Sequence, residues 1–127
     1  MREILFRGKR TDNGEWVEGR LLAKNVIVPT GQHFFIEANF IYVDDLRGYE
    51  VDLETVGQFT GLYDKNGKKI FEGDILKYEE EYYLVKFLEY RWAAIYKTCL
   101  PDDLDQRTAK DFEIIGNIYD NPELLEG

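Results

Sequence analysis

The chain contains no serine, one histidine, one cysteine and three prolines in 127 residues. Without serine there is no Ser-His-Asp hydrolase. His33 and Cys99 lie in different halves, so a Cys–His nucleophile requires the fold to bring them together. The ordinary reading of Cys99, beside Leu100, is a buried or edge residue. These two side chains fall short of the four nitrogen or sulfur ligands of a structural zinc site. A lone cysteine excludes an intrachain disulfide and suits a reducing cytoplasm. No stretch approaches the ~20 apolar residues of a membrane span. The start, Met1-Arg2-Glu3-Ile4-Leu5-Phe6-Arg7-Gly8, is charged and then strand-like, without the apolar core of a secretory signal. These absences lead to the expectation of a non-enzymatic, cofactor-free, cytoplasmic protein with no membrane attachment.

What is present is aromatic and acidic. Phe, Trp and Tyr make up 15% of the residues, which favours strands. The formal net charge is -9, which repels nucleic acid and anionic lipid overall. Helical periodicity is nearly absent, whereas short strand signals bounded by turn residues recur. The pattern predicts strands over Glu3–Arg7, Trp16–Leu22, Val26–Val28, Phe34–Val43 and Tyr49–Val56. After Gly57 it predicts Gln58–Tyr63, Ile70-Phe71, Ile75–Tyr78, Tyr82–Tyr90, Trp92–Tyr96 and Phe112–Tyr119. Asn13-Gly14 and Asn66-Gly67 mark hairpin turns, with φ > 0 expected at Gly67. Thr30-Gly31 after Pro29, and Glu72-Gly73-Asp74, mark further turns; Glu79-Glu80-Glu81 is a charged hairpin tip. Thr98–Asp111 is polar and holds Pro101. It reads as a solvated connector with at most one helical turn over Leu104–Lys110. Gly116 is placed for a bulge or a close backbone approach.

Asn13-Gly14, Trp16-Val17, Glu18-Gly19, Leu21-Leu22 is echoed by Asn66-Gly67, Ile70-Phe71, Glu72-Gly73, Ile75-Leu76. The echo reads as turn, apolar pair, tight glycine turn, apolar pair. It fits either two related β units or common hairpin vocabulary used twice. The expected fold is mainly β: an N-terminal β subdomain over 1–57, packed on a C-terminal SH3-like small β-barrel over 58–127. Val56-Gly57-Gln58-Phe59 is too short and apolar for a flexible linker.

Motifs for chemistry are sparse. Asp44-Asp45 and Asp102-Asp103 are sequence neighbours, and on a strand neighbours point to opposite faces. Asp64-Lys65-Asn66-Gly67 lacks the downstream Glu of a calcium loop and is explained by a hairpin turn. Gly57, Gly61 and Gly67 fall outside dinucleotide-binding spacing. Two charged clusters remain as candidate binding residues. Lys65, Lys68 and Lys69 crowd one hairpin, and with Tyr63, Tyr78, Tyr82 and Tyr83 could contact single-stranded nucleic acid. Asp102, Asp103 and Asp105 could face a basic partner. The acidic background makes the protein-partner reading the leading one: an interaction or self-assembly module. A nucleic-acid-associated module is the alternative.

Three segments carry a family resemblance. They are Met1–Arg7, the stretch Gly57-Gln58-Phe59-Thr60-Gly61-Leu62-Tyr63-Asp64-Lys65-Asn66-Gly67-Lys68-Lys69-Ile70-Phe71-Glu72-Gly73-Asp74-Ile75, and the ending Ile114-Ile115-Gly116-Asn117-Ile118-Tyr119-Asp120-Asn121-Pro122-Glu123-Leu124-Leu125. In order and spacing they resemble the YopX family of phage and prophage proteins. The likeness is weak between about Leu22 and Val56 and through Thr98–Asp111. The resemblance implies a mainly-β fold with an SH3-like C-terminal barrel and a bacterial host cytoplasm. It implies no activity and no catalytic residues.

Overall fold

A computed structural model describes residues 5–27, 35–44, 46–88, 91–97 and 101–126, with the side chains of 23–27 and 35–39 left aside. His33, Cys99, Ile4 and the Pro29–Gly31 turn lie outside the described residues. The structure is mainly β, and its chain divides between Gln58 and Phe59 into two compact units.

In the first unit, β1 (Phe6–Lys9) pairs antiparallel with β2 (Trp16–Ile27) through the turn at 11–13 and Gly14 just after it, which has φ 74°. β2 pairs in turn with β3 (Phe35–Tyr42), and β3 with β4 (Gly48–Glu50). The first two residues of β5 (Gly57–Tyr63) pair with the other edge of β1. Three expectations are corrected here. The first strand begins at Phe6 and runs on to Lys9. Trp16–Leu22 and the Val26-Ile27 part of Val26–Val28 belong to one strand of 12 residues, and Val28 lies outside the described residues. Its weak stretch Ala23-Lys24-Asn25 is carried by pairing with Asn39, Ala38 and Glu37, and this cross-strand ladder overrides residue propensity. Of Tyr49–Val56, Tyr49 and Glu50 lie in β4 and Val51 forms a bridge to Arg10, but the strand does not continue beyond it. The Asp52 carboxylate accepts from the Glu54 N–H (3.1 Å) and starts a 3-10 turn over Leu53–Thr55. The Thr55 hydroxyl fixes that turn by donating to the Asp52 carbonyl (2.6 Å) and accepting from the Lys9 N–H (2.9 Å). Local side-chain bonding has displaced the strand, and Leu53 is left 58% exposed.

In the second unit, the rest of β5 pairs with β6 (Lys69–Phe71). A five-stranded antiparallel sheet follows in the order β10-β9-β8-β7-β11. Its strands are β7 (Asp74–Tyr78), β8 (Glu81–Leu88), β9 (Arg91–Ile95), β10 (Asp102–Asp103) and β11 (Glu113–Asn117). The core gathers Ile70, Leu76, Tyr83, Val85, Trp92, Ala94, Leu104, Ala109 and Phe112. The expected bulge at Gly116 is present, as the β11–β7 register slips between Ile114 and Gly116.

The echoed motif does not make two equal units. Gly73 has φ 92° and turns the chain between β6 and β7. Its counterpart Gly19 lies inside β2, facing the chain of β3, where an added Cβ would sit 2.0 Å from the Tyr42 carbonyl oxygen. One glycine serves a left-handed turn and the other a close backbone approach.

Candidate binding groove

The segment from Asp102 to Phe112 is folded in, contrary to its reading as a solvated connector. Asp102 and Asp103 form β10 against Ala94 and Ala93 of β9. The next N–H, of Leu104, donates to the Trp92 carbonyl (3.1 Å). Leu104, Ala109 and Phe112 then enter the core. Between them stands one helical turn, α1 (Gln106–Ala109). Four residues are far too few for a stable isolated helix. The turn is held by the Asp105 carboxylate, which accepts from the N–H of Arg107 (2.9 Å) and Thr108 (3.2 Å). The Thr108 hydroxyl accepts from the Asp105 N–H (3.1 Å), completing a reciprocal cap. The Thr108 and Arg107 N–H groups hold the Asp105 carboxyl below the usual carboxylate range, against the opposing effect of desolvation.

This fold-back walls a groove of about 450 Å³ lined by Tyr78, Tyr83, Asp102, Asp103, Thr108, Asp111 and Phe112. Its base is aromatic. Phe112 meets Tyr78 at a centroid distance of 5.7 Å and Tyr83 edge-on at 5.2 Å, and Tyr83 continues to Tyr96 at 5.6 Å. Its rim is anionic, with Asp102, Asp103 and Asp111 all exposed; Arg91 forms an ion pair with Asp103. The Tyr83 hydroxyl donates to the Glu81 carboxylate at 2.7 Å. Burial first, then that bond and the charges of Glu81 and Asp102, push the Tyr83 hydroxyl up to about 12, so it stays neutral at working pH. Such a groove suits a cation that lays its apolar face on the rings and its charge against the carboxylates. A second cavity of about 360 Å³ adjoins Leu84, Ile95, Leu124 and Leu125. Its charged groups are Glu80, Glu81 and Glu126 with Lys97 among them.

The basic hairpin is built differently. Asp64 is buried at its base. The Asp64 carboxylate accepts from the N–H groups of Asn66 (2.9 Å), Lys68 (2.9 Å) and Ile114 (3.0 Å). Burial pushes the Asp64 carboxyl up, but the three N–H groups and Lys68 outweigh it and hold the group below the usual range. The Lys65 N–H donates to the Phe112 carbonyl (2.9 Å), and its ammonium pairs with Glu113 (3.3 Å). Lys69 stands 6.0 Å from the centre of the Phe59 ring, which packs edge-on to Tyr63. Tyr78 and Tyr83 line the acidic groove together with the aspartates.

A model of the family described as YopX protein matches residues 5–126. The chain belongs to the YopX family. It is also similar to the crystal structure of protein EF1440 from Enterococcus faecalis, at 25% identity and a TM-score of 0.56, over 99% of this chain and 100% of that one. No curated protein matches it.

In this YopX chain, residue patterns singled out Asp102, Asp103 and Asp105 but missed Asp111, Thr108, Tyr78, Tyr83 and Phe112 as their neighbours. The structure brings Asp102 and Asp103 to the rim and gives Asp105 a capping role instead. One local signal existed: Asp105 and Thr108 stand three residues apart, as in a helix cap. Nothing local marked Asp102-Asp103 as a strand. Among the described residues no three His, Cys, Asp or Glu side chains are arranged to hold a metal ion, and no helix is long and apolar enough to cross a membrane.

Proposed function

We propose that this YopX-family chain is a phage- or prophage-encoded accessory protein that works without catalysis, through protein–protein contact or self-assembly in the bacterial host cytoplasm. The observation that carries this reading is the groove of Tyr78, Tyr83 and Phe112 rimmed by Asp102, Asp103 and Asp111. An aromatic base with charges of one sign provides contact area and steering at low ordering cost. We read the second unit as a small barrel of SH3-like type. Two features support that reading: within its five-stranded sheet the last strand, β11, pairs with the first, β7, and a short helical turn precedes β11. The nucleic-acid alternative rests on Lys65, Lys68 and Lys69, and the Lys65–Glu113 pair and the acidic surroundings weaken it.

The test is capture of partners from phage-infected host lysate by the tagged full chain, in nuclease-treated and untreated arms. Recovery of the same protein in both arms, at stoichiometric yield and confirmed with purified components, supports the module. Recovery of nucleic acid, with proteins lost on nuclease treatment, overturns it in favour of the alternative.

A further inference from the structure

Building on the reading of the groove as a partner site, we propose that it accepts an arginine of an extended segment in a protein partner. The guanidinium would lie on the aromatic base and fork onto the carboxylates of the rim.

The argument is one of charge and shape complementarity. Asp102 and Asp111 are exposed and line one groove with Tyr78, Tyr83 and Phe112. Phosphate or a carboxylate-bearing ligand would meet repulsion there. A compact ammonium could meet one carboxylate, whereas a planar guanidinium stacks on a ring and donates two parallel N–H bonds at once. The same combination already occurs within this chain. The Arg10 guanidinium stacks on Tyr49 at 4.2 Å while its Nε and Nη2 donate to the two oxygens of Asp12 at 2.9 and 2.6 Å. In the groove, rings and carboxylates of the same types are set out, and Tyr78 remains 42% exposed. The groove is open to solvent rather than enclosed, which fits a segment of a chain rather than a small enclosed molecule.

The test uses the isotope-labelled full chain, titrated with a short peptide of alternating glycine and arginine. The same lengths of glycine–lysine peptide, glycine–glutamate peptide and single-stranded DNA serve as separate arms. The arginine peptide should shift the amide signals of Tyr78, Tyr83, Asp102, Thr108 and Asp111. The lysine peptide should bind about tenfold more weakly, which is ~1.4 kcal/mol. Asp102→Asn with Asp111→Asn should weaken arginine binding at least ~10-fold. Tyr78→Leu, at a position already exposed, should weaken it by about 3-fold or more. A dispersed spectrum confirms that each variant is folded. The proposal is overturned by any of four results: no saturable binding, shifts spread over the whole acidic surface, undiminished affinity in both variants, or concentration-dependent shifts of the groove alone, which would mean a second copy fills it. Its failure is separable from that of the broader reading. A lysate partner still captured by the Asp102→Asn, Asp111→Asn variant removes the groove but keeps the module. DNA binding with no protein partner removes the module itself.

Discussion

Two charged stretches of the second unit, Asp64–Lys69 and Asp102–Asp111, look alike in sequence: each is polar, turn-rich and dominated by one sign. Folded, they differ in what lies beneath the charge. The lysine hairpin closes over Asp64, whose carboxylate takes up backbone N–H groups from the hairpin and from Ile114. Its charge crowns a turn whose function is to hold β5, β6 and β11 in place. The aspartate segment instead sends Leu104, Ala109 and Phe112 into the core and leaves its carboxylates around an aromatic hollow. Charge runs therefore do not separate site from scaffold. Concave apolar surface under the charge is what marks the proposed site.

That contrast is broken most severely at Phe112, which supports both the core and the groove. Phe112→Ala should cost about 3–5 kcal/mol by denaturant melting, whereas Lys65→Gln, losing an exposed pair, should change stability by less than ~1 kcal/mol. Equal effects would erase the distinction drawn here.

Asp64→Asn comes next. The amide keeps an acceptor for the hairpin N–H groups but turns a donor toward the Ile114 N–H, which should cost about 1–3 kcal/mol. The sign with pH is definite. A folded carboxyl held below its unfolded range contributes stability that is present above the unfolded value and lost as pH falls through the folded one. Acid titration of the melting temperature should be shallower in the variant. A steeper acid dependence would contradict the assignment.

At Gly67, φ is 78° with open space around it. Gly67→Val should cost more than ~1 kcal/mol through backbone strain alone.

The smallest effect concerns the groove base. Tyr83→Phe removes the hydroxyl that bonds Glu81 and should cost about 0.5–1.5 kcal/mol. In the parent protein the raised Tyr83 value means stability is present below the unfolded tyrosine range near ~10 and declines as pH rises through about 12. Ultraviolet titration should therefore show one tyrosine ionising late, and none so late in Tyr83→Phe.

The hairpins were legible because Asn-Gly and Gly-Asp signals act locally: Gly14, Gly67 and Gly73 all take the left-handed conformation that such turns require. Elements decided by distant partners were not. Ala23-Lys24-Asn25 became strand because β3 lies alongside, and Leu53 left the strand because Asp52 and Thr55 formed a better local network. Gly19 and Gly73 stand in matching positions of a repeated pattern yet serve opposite needs, since only the fold reveals that Gly19 faces Tyr42. Of the groove, the aspartates were visible as a cluster. Their aromatic neighbours come from β7, β8 and the turn before β11, and no window of sequence spans them.

The central claim is that residues Asp102–Phe112 form a fixed wall rather than a connector, and amide hydrogen exchange of the native full chain tests it most directly. The N–H groups of Leu104, Ala109 and Phe112 donate to the carbonyls of Trp92, Asp105 and Ala109 at 3.1, 2.8 and 3.0 Å. They should exchange on the slow scale of the β8–β9 ladder, with protection lost together with that ladder as denaturant is added. Exchange of these three amides at the rate of an unstructured chain, while β8 and β9 stay protected, would contradict the account and leave the groove without its wall.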